Sequence, residues 1–172
     1  MKLYRAKVPT IASEIIATLV RDGDIDVPHE MFEEAEKDLI AIMDEFMRRD
    51  AEFRDSIKDH MADAGLAYSE FGRVRSKLAE ELNHPLNNDV ERFLARQFTE
   101  NMMISRFVDE VFEEDRVIYK KILEIIASHH VDEEGIREEA KDKVKNVTEG
   151  TVDYEIAMQK AVKEVKKRRG LL

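Results

Sequence analysis

Apolar residues recur along the chain at spacings of three, four and seven, the periodicity of helices that bury one face. Residues 8–20 read as a short helix opened by Pro9, with Ile11, Ile15, Ile16 and Leu19 on one side. The polar stretch RDGDIDVP breaks it, because Gly23 and Pro28 punctuate a turn. Residues 28–64 then form one long predicted helix: Pro28 suits a first turn and Gly65 a terminator. A third helix, residues 69–83, stops at His84-Pro85, since proline disfavours helical geometry in the residue before it. LNND leads into a fourth and longest helix, residues 89–129, with Asp89 as its N-cap. Two shorter helices follow, residues 132–146 and 151–168, joined by a hinge of Asn146, Thr148, Glu149 and Gly150.

The pattern contains an internal repeat. MDEFMRRDAEFRDSI, residues 43–57, aligns without a gap on VDEVFEEDRVIYKKI, residues 108–122, placing Asp50 on Asp115 and Ile57 on Ile122. Further upstream, residues 11–27 can be laid on residues 74–90, matching Ser13 with Ser76 and Leu19 with Leu82. The implied unit is a short helix, a turn and a long helix, present twice, each copy burying its apolar face against the other. Seven-residue spacing supports this: Leu39, Phe46, Phe53 and His60 in one copy, and Ile104, Val111, Ile118 and Ile125 in the other, suggest a knobs-into-holes seam. The predicted architecture is all-α, with two tandem helical-hairpin repeats at residues 1–65 and 66–130 and a C-terminal helical pair at 131–172. A shared Glu-Ile-Ile-Ala at Glu14 and Glu124 hints at a partial third copy.

Where the copies differ, the difference is in charge. Arg48 and Arg49 are replaced by Glu113 and Glu114, so an antiparallel seam would bring opposite charges together. Asp50 and Asp115 fall where apolar residues are expected, and an ionised carboxylate is costly to bury alone. Two such groups can share acid-base work when their pKa values are pushed apart. A register-fixing role, with Arg48, Arg49, Arg54 and Arg116 as counter-charges, is the stronger reading.

Composition narrows the classes. Of 172 residues, 38% are charged and only 6 are Gly and 3 Pro, which favours long solvated helices over a turn-rich sandwich. The absence of Cys removes disulfides and thiolate metal sites. No apolar run approaches the roughly 18 residues of a membrane span, and MKLYRAKVPT lacks the apolar core of a secretion signal, so a cytoplasmic location is expected. A net charge of −10 disfavours wholesale nucleic-acid binding. Both ends are nevertheless basic. The last helix sets Lys163, Lys166, Lys167, Arg168 and Arg169 beside a narrow apolar stripe of Ile156, Val162 and Val165, making those five cations a candidate partner-binding face.

Candidate chemistry is sparse. A di-iron bundle needs two Glu-x-x-His pairs, and only Glu81 with His84 has that spacing. His129-His130 with Asp132, Glu133 and Glu134 suits zinc or nickel by composition. Adjacent helical side chains diverge by about a third of a turn, however, so histidines favourably placed at a helix C-terminus are preferred. His60 reads as a packed or capping side chain, and Met43, Met47, Met102 and Met103 as core filler. There is no phosphate loop or nucleophile motif. The sequence therefore assigns no catalytic residue, metal or cofactor. Its leading reading is a non-enzymatic interaction or adaptor protein with an unidentified protein partner; nucleic-acid or ribosome association through the basic ends comes second, and a metal-dependent enzyme last.

The opening MKLYRAKVPTIASEIIATLVRDGDIDV, the RRD at residues 48–50 and the EED at 113–115 resemble the bacterial family called domain of unknown function 507. The resemblance covers essentially the whole chain and is most specific at MKLYRAKVPTIA. It implies an all-helical bacterial protein and carries over no catalytic residue.

Overall fold

The computed structural model describes residues 2–87, 89–149 and 151–172. In chain order it contains helix α1 (Val8–Arg21), strand β1 (Ile25–Asp26), the long helix α2 (Phe32–Asp63), α3 (Phe71–Glu81), α4 (Asp89–Ile104), strand β2 (Glu110–Val111), α5 (Asp115–Ser128), α6 (Glu133–Lys143) and α7 (Val152–Arg168). The fold is all-α, as the apolar spacing predicts, with a single two-residue antiparallel ribbon among the described residues. No helix among them is long and apolar enough to cross a membrane. Asn88, in the predicted lead into the fourth helix, and Gly150, in the predicted hinge, lie outside the described residues.

Helices α1, α2, α3 and α7 end in the same way. In each, a left-handed residue follows the last turn: Gly23 (φ 75°), Gly65 (φ 59°), Asn83 (φ 48°) and Gly170 (φ 66°). The next residue donates its N–H back into the helix, Asp24 to Leu19, Leu66 to Met61, His84 to Ala79 and Leu171 to Lys166, at 2.8–2.9 Å. Paired backbone bonds of this type satisfy the otherwise orphaned carbonyls of a helix end. The N-termini of the last two helices are capped by side chains: Asp132 accepts from Gly135 N–H and Thr151 from Tyr154 N–H.

Helices α1, α2, α4 and α5 pack in a ring, α1 on α2 and α5, and α4 on the same two. Their buried faces make the main core, from Ile11, Ile15 and Leu19 through Leu39 and Met43 to Leu94, Phe98, Ile118 and Ile122. Each such side chain contributes about 1.5–3 kcal/mol by leaving water. The second half of α2 extends past the bundle and packs on α3 through Phe53, Ile57, Val74 and Ala79. A third cluster joins α6 and α7 through Ile136, Ala140, Val144, Ala161 and Val165, with Tyr4 and Leu171. Leu3 is buried in the main core and Tyr4 in this third one, so two consecutive residues tie the helical pair to the bundle.

The structure corrects the predicted repeat. The fourth helix is not continuous over residues 89–129: it stops at Ile104, crosses a loop and β2, and restarts as α5 at Asp115. At the break Ser105 donates its hydroxyl to Asp38 and accepts the Phe107 N–H, offering the backbone a local alternative to the helix. The freed backbone then pairs with the turn after α1: Ile25 lies opposite Val111 and Asp26 opposite Glu110, while Phe112 N–H donates to the Asp24 carbonyl. Residues 108–114 are therefore loop and strand, and do not match the α2 helix of residues 43–57. Asp115, the first residue of α5, is exposed and is no seam partner of Asp50. Nor is α3 the short arm of a second hairpin, because it packs on α2. The units that pair are α1–β1–α2 and α4–β2–α5, and exchanging them leaves the ring of helix contacts unchanged. His60, expected to be packed, is exposed.

Lys121 of α5 makes ion pairs that link these two units. Asp24, only 3% exposed, accepts from Lys121 of α5 at 2.6 Å, and the same ammonium lies 3.1 Å from Asp22. Removing the cation would leave a buried carboxylate uncompensated, which is strongly destabilising. Lys121→Met is expected to lower the unfolding free energy by about 2 kcal/mol, while Lys121→Met combined with Asp24→Asn loses less than the sum of the two single losses. Urea denaturation of the four proteins of this cycle measures the coupling, and additive losses would show that the pair does not tie the units.

Candidate functional site

The three apolar clusters meet around a cleft of about 550 Å³. Its walls come from the middle of α2, from the α3–α4 connection, from the first residues of the chain and from the α5–α6 connection. A volume in this range is typical of sites that hold small ligands or side chains of a partner. Phe46 and Phe53 lie two turns apart along α2 and, with Met47, Leu86 and Val90, form its apolar floor. Asp50 sits between them on the same face, which is why an acid interrupts the hydrophobic spacing.

His84 is the buried polar group behind this wall. The left-handed Asn83 turns the chain back after α3, and Pro85 then holds it extended. The imidazole is 4% exposed, stacks on Phe53 at 4.2 Å between ring centres and on Phe46 at 5.9 Å, and places Nε2 3.3 Å from Asp50 Oδ1. Asp50 also pairs with Arg54 at 3.1 Å. Burial lowers the His84 pKa below its ordinary value, outweighing the opposite pull of the Asp50 carboxylate.

A second polar group closes the other side. Glu133 accepts a short hydrogen bond from the Tyr4 hydroxyl and pairs with Lys166 at 3.0 Å. Burial opposes its ionisation, yet Tyr4, Lys166 and Lys2 together hold the Glu133 carboxyl below its usual range. Lys2 and Lys166 both lie over the Tyr4 ring, at 5.3 and 5.2 Å from its centre. Lys2 is consequently easier to deprotonate than an ordinary lysine, first through partial burial and then through repulsion by Lys166 and Arg54.

Several residues singled out in the sequence stand elsewhere. Arg48 is exposed and bonded to Glu45 and Glu52 of its own helix, not to Glu113 or Glu114. Arg49 borders a smaller hollow of about 290 Å³ with Phe93 and Gln97. Glu113 and Glu114 lie in the exposed lead into α5, where Glu114 precedes the first helical residue. Within the basic face of α7, Lys166 is buried against Glu133, and Arg168 and Arg169 both pair with Glu139 of α6. Only Lys163 and Lys167 of the predicted five are exposed without an ion pair among the described residues. His129 and His130 contact different carboxylates, Glu14 at 2.7 Å and Glu91 at 3.5 Å, and the described residues contain no group of three or more His, Asp or Glu arranged around one point. Of the sequence-derived candidates, Asp50, Arg54, His130 and Glu133 border the cleft and Lys166 backs it through Glu133. Lys2, His84 and Arg75 went unassigned, although the interruption of the α2 stripe by Asp50 signalled that a polar partner was needed.

Because the folded protein binds a proton at His84 less readily than the unfolded chain does, protonation opposes folding. Stability at this site is complete above about pH 6.5, the ordinary histidine value, and falls as pH drops below it. His84→Phe keeps the ring stack and removes the titration. Thermal melting between pH 7.5 and 5.5 is expected to show a shallower decline for this variant than for the natural sequence, and parallel curves would refute the assignment.

Comparison with known proteins adds one match. No curated protein is matched by this sequence. The family described as protein of unknown function (DUF507) matches residues 1–171 of the 172. With the helical fold and the cleft in place, the match extends over every element that builds them, and the chain belongs to the DUF507 family.

Proposed function

We propose that this chain is a non-enzymatic protein-interaction module whose working surface is the cleft between its three packed clusters. The observation that carries this reading is the wall itself: aromatic and aliphatic side chains of α2 stand beside cations from three separate segments, Lys2, Arg54 and Arg75. An apolar floor with a few polar groups at its edge suits recognition of a partner side chain. The segments that form the edge are connections and a chain end, which are more tolerant of variation than the helices behind them. The α7 face contributes less than its sequence suggests, since Lys166, Arg168 and Arg169 are engaged within the protein. Lys163 and Lys167 remain as a secondary electrostatic surface for an acidic partner. A cytoplasmic setting accords with this reading.

The test is site-specific photo-crosslinking in native cells. A photoreactive residue at Met47, in the cleft, is expected to yield a discrete protein adduct that is lost when Arg54→Glu is added and that does not form from Lys58, on the exposed side of α2. Adducts formed equally from both positions, or nucleic acid in place of protein, would overturn the proposal. If Lys163→Glu with Lys167→Glu abolishes the adduct while Arg54→Glu does not, α7 and not the cleft is the docking surface.

A further inference from the structure

The charges of the cleft do not balance. Arg54 is matched by Asp50 at 3.1 Å, and Glu133 by Lys166 at 3.0 Å. Lys2 and Arg75 have no carboxylate within ion-pair distance among the described residues; Arg75 donates a 3.4 Å hydrogen bond to the Asn87 side-chain oxygen. Two cations thus face one hollow in a chain whose net charge is −10. Cations kept together without a counter-ion repel one another, and a bound anion relieves that repulsion. The Lys2 pKa is lowered first by partial burial and then by the Lys166 charge, and the more distant Glu133 carboxylate does not offset them.

The apolar floor limits what such an anion can be. Met47, Leu86 and Val131, each half-buried, offer surface that a small inorganic ion would leave wet, whereas an apolar stem attached to the anion would cover it. The anion is also limited in charge, because Asp50 and Glu133 border the same space and repel a second negative charge. Arg75 presents a planar fork that matches a carboxylate with two parallel bonds.

From this we infer that the cleft binds a single carboxylate carried on an apolar stem, the carboxylate between Lys2 and Arg75 and the stem on Met47, Leu86 and Val131. The source is either an acidic side chain or chain terminus of a partner protein or a free small acid. The site rests on the cleft being the working surface, as proposed above, and does not require that the occupant be a protein.

Two-dimensional amide NMR of the full chain tests it, with hexanoate and a capped leucyl-phenylalanyl-glutamate tripeptide as probes and hexanol and hexylammonium as controls. Saturable shifts confined to residues 2–3, 46–54, 74–76, 86–87 and 130–133 are expected with at least one of the acids and with neither control. In Lys2→Gln combined with Arg75→Gln, the midpoint is expected to rise at least fivefold; Arg75→Lys, which keeps charge but loses the fork, falls between. The spectra of the free variants report that they are folded, and the single Lys2→Gln change at the exposed chain end serves if the double variant is not. Hexanol shifting the same resonances at the same midpoint, unchanged binding in the variants, no saturable shift with either acid, or tighter binding of hexyl phosphate than of hexanoate would each overturn the inference. Binding of hexanoate without the tripeptide assigns a free acid as occupant and counts against the protein-interaction reading while leaving the carboxylate site standing.

Discussion

A left-handed residue after each of four helices decides where this chain turns and which side chain it presents next. Gly23, Gly65, Asn83 and Gly170 occupy a conformation that costs most L-residues about 1–2 kcal/mol, and glycine and asparagine occupy it with least strain. The residue that follows is bonded back into the helix, so its side chain returns to the protein instead of entering solvent. Asp24, His84 and Leu171 are buried for this reason. Two of the three are polar, and each needs a partner from another element: Lys121 for Asp24 and Asp50 for His84. Helix termination thereby becomes tertiary structure.

The ion pairs sort by the distance they span along the chain. Those three or four residues apart on one helix, such as Arg48 with Glu45 or Lys58 with Asp55, are exposed and screened by water, so each adds little to stability. They solvate the surface without specifying the fold. The long-range contacts of Lys121 with Asp24, Lys166 with Glu133 and His129 with Glu14 join segments distant in sequence and lie at or beneath the surface. Their geometry holds only when the helices are correctly placed, so they select one arrangement among several that the apolar faces alone would permit. Leu3 and Tyr4 add an apolar clamp, one residue in each of two cores.

The cleft follows from the same construction. Three clusters, each closed around its own apolar side chains, cannot interlock fully where they meet, and the gap is lined by whatever the connections carry. Here the chain end, α2 and α3 supply the cations Lys2, Arg54 and Arg75, the α3–α4 connection supplies a proline, and α2 also carries phenylalanines and an aspartate. Polar and apolar surface thus come together in one hollow, which is the arrangement that recognises an amphipathic group.

Much of this was written locally. The period of Ile11, Ile15, Ile16 and Leu19 marks a buried helical face whatever surrounds it, and Gly65 or His84-Pro85 ends a helix through backbone sterics that act within a few residues. Those elements and the all-α class were legible for that reason. The break between Ile104 and Asp115 was not. Ile104, Val111 and Ile118 keep a seven-residue spacing across a loop and a two-residue strand, and so short a strand has no periodicity of its own. Only its pairing with Ile25 and Asp26, some 85 residues away, distinguishes it from helix. Charge was ambiguous for a similar reason. Lys163 and Lys166 are equivalent in sequence, yet one is exposed and the other buried on Glu133, and Asp50 finds its histidine 34 residues away. Helix ends and buried faces depend on neighbours in the chain, which the sequence states; strand pairing, ion pairing and the cleft depend on neighbours in space, and those exist only once the bundle has closed.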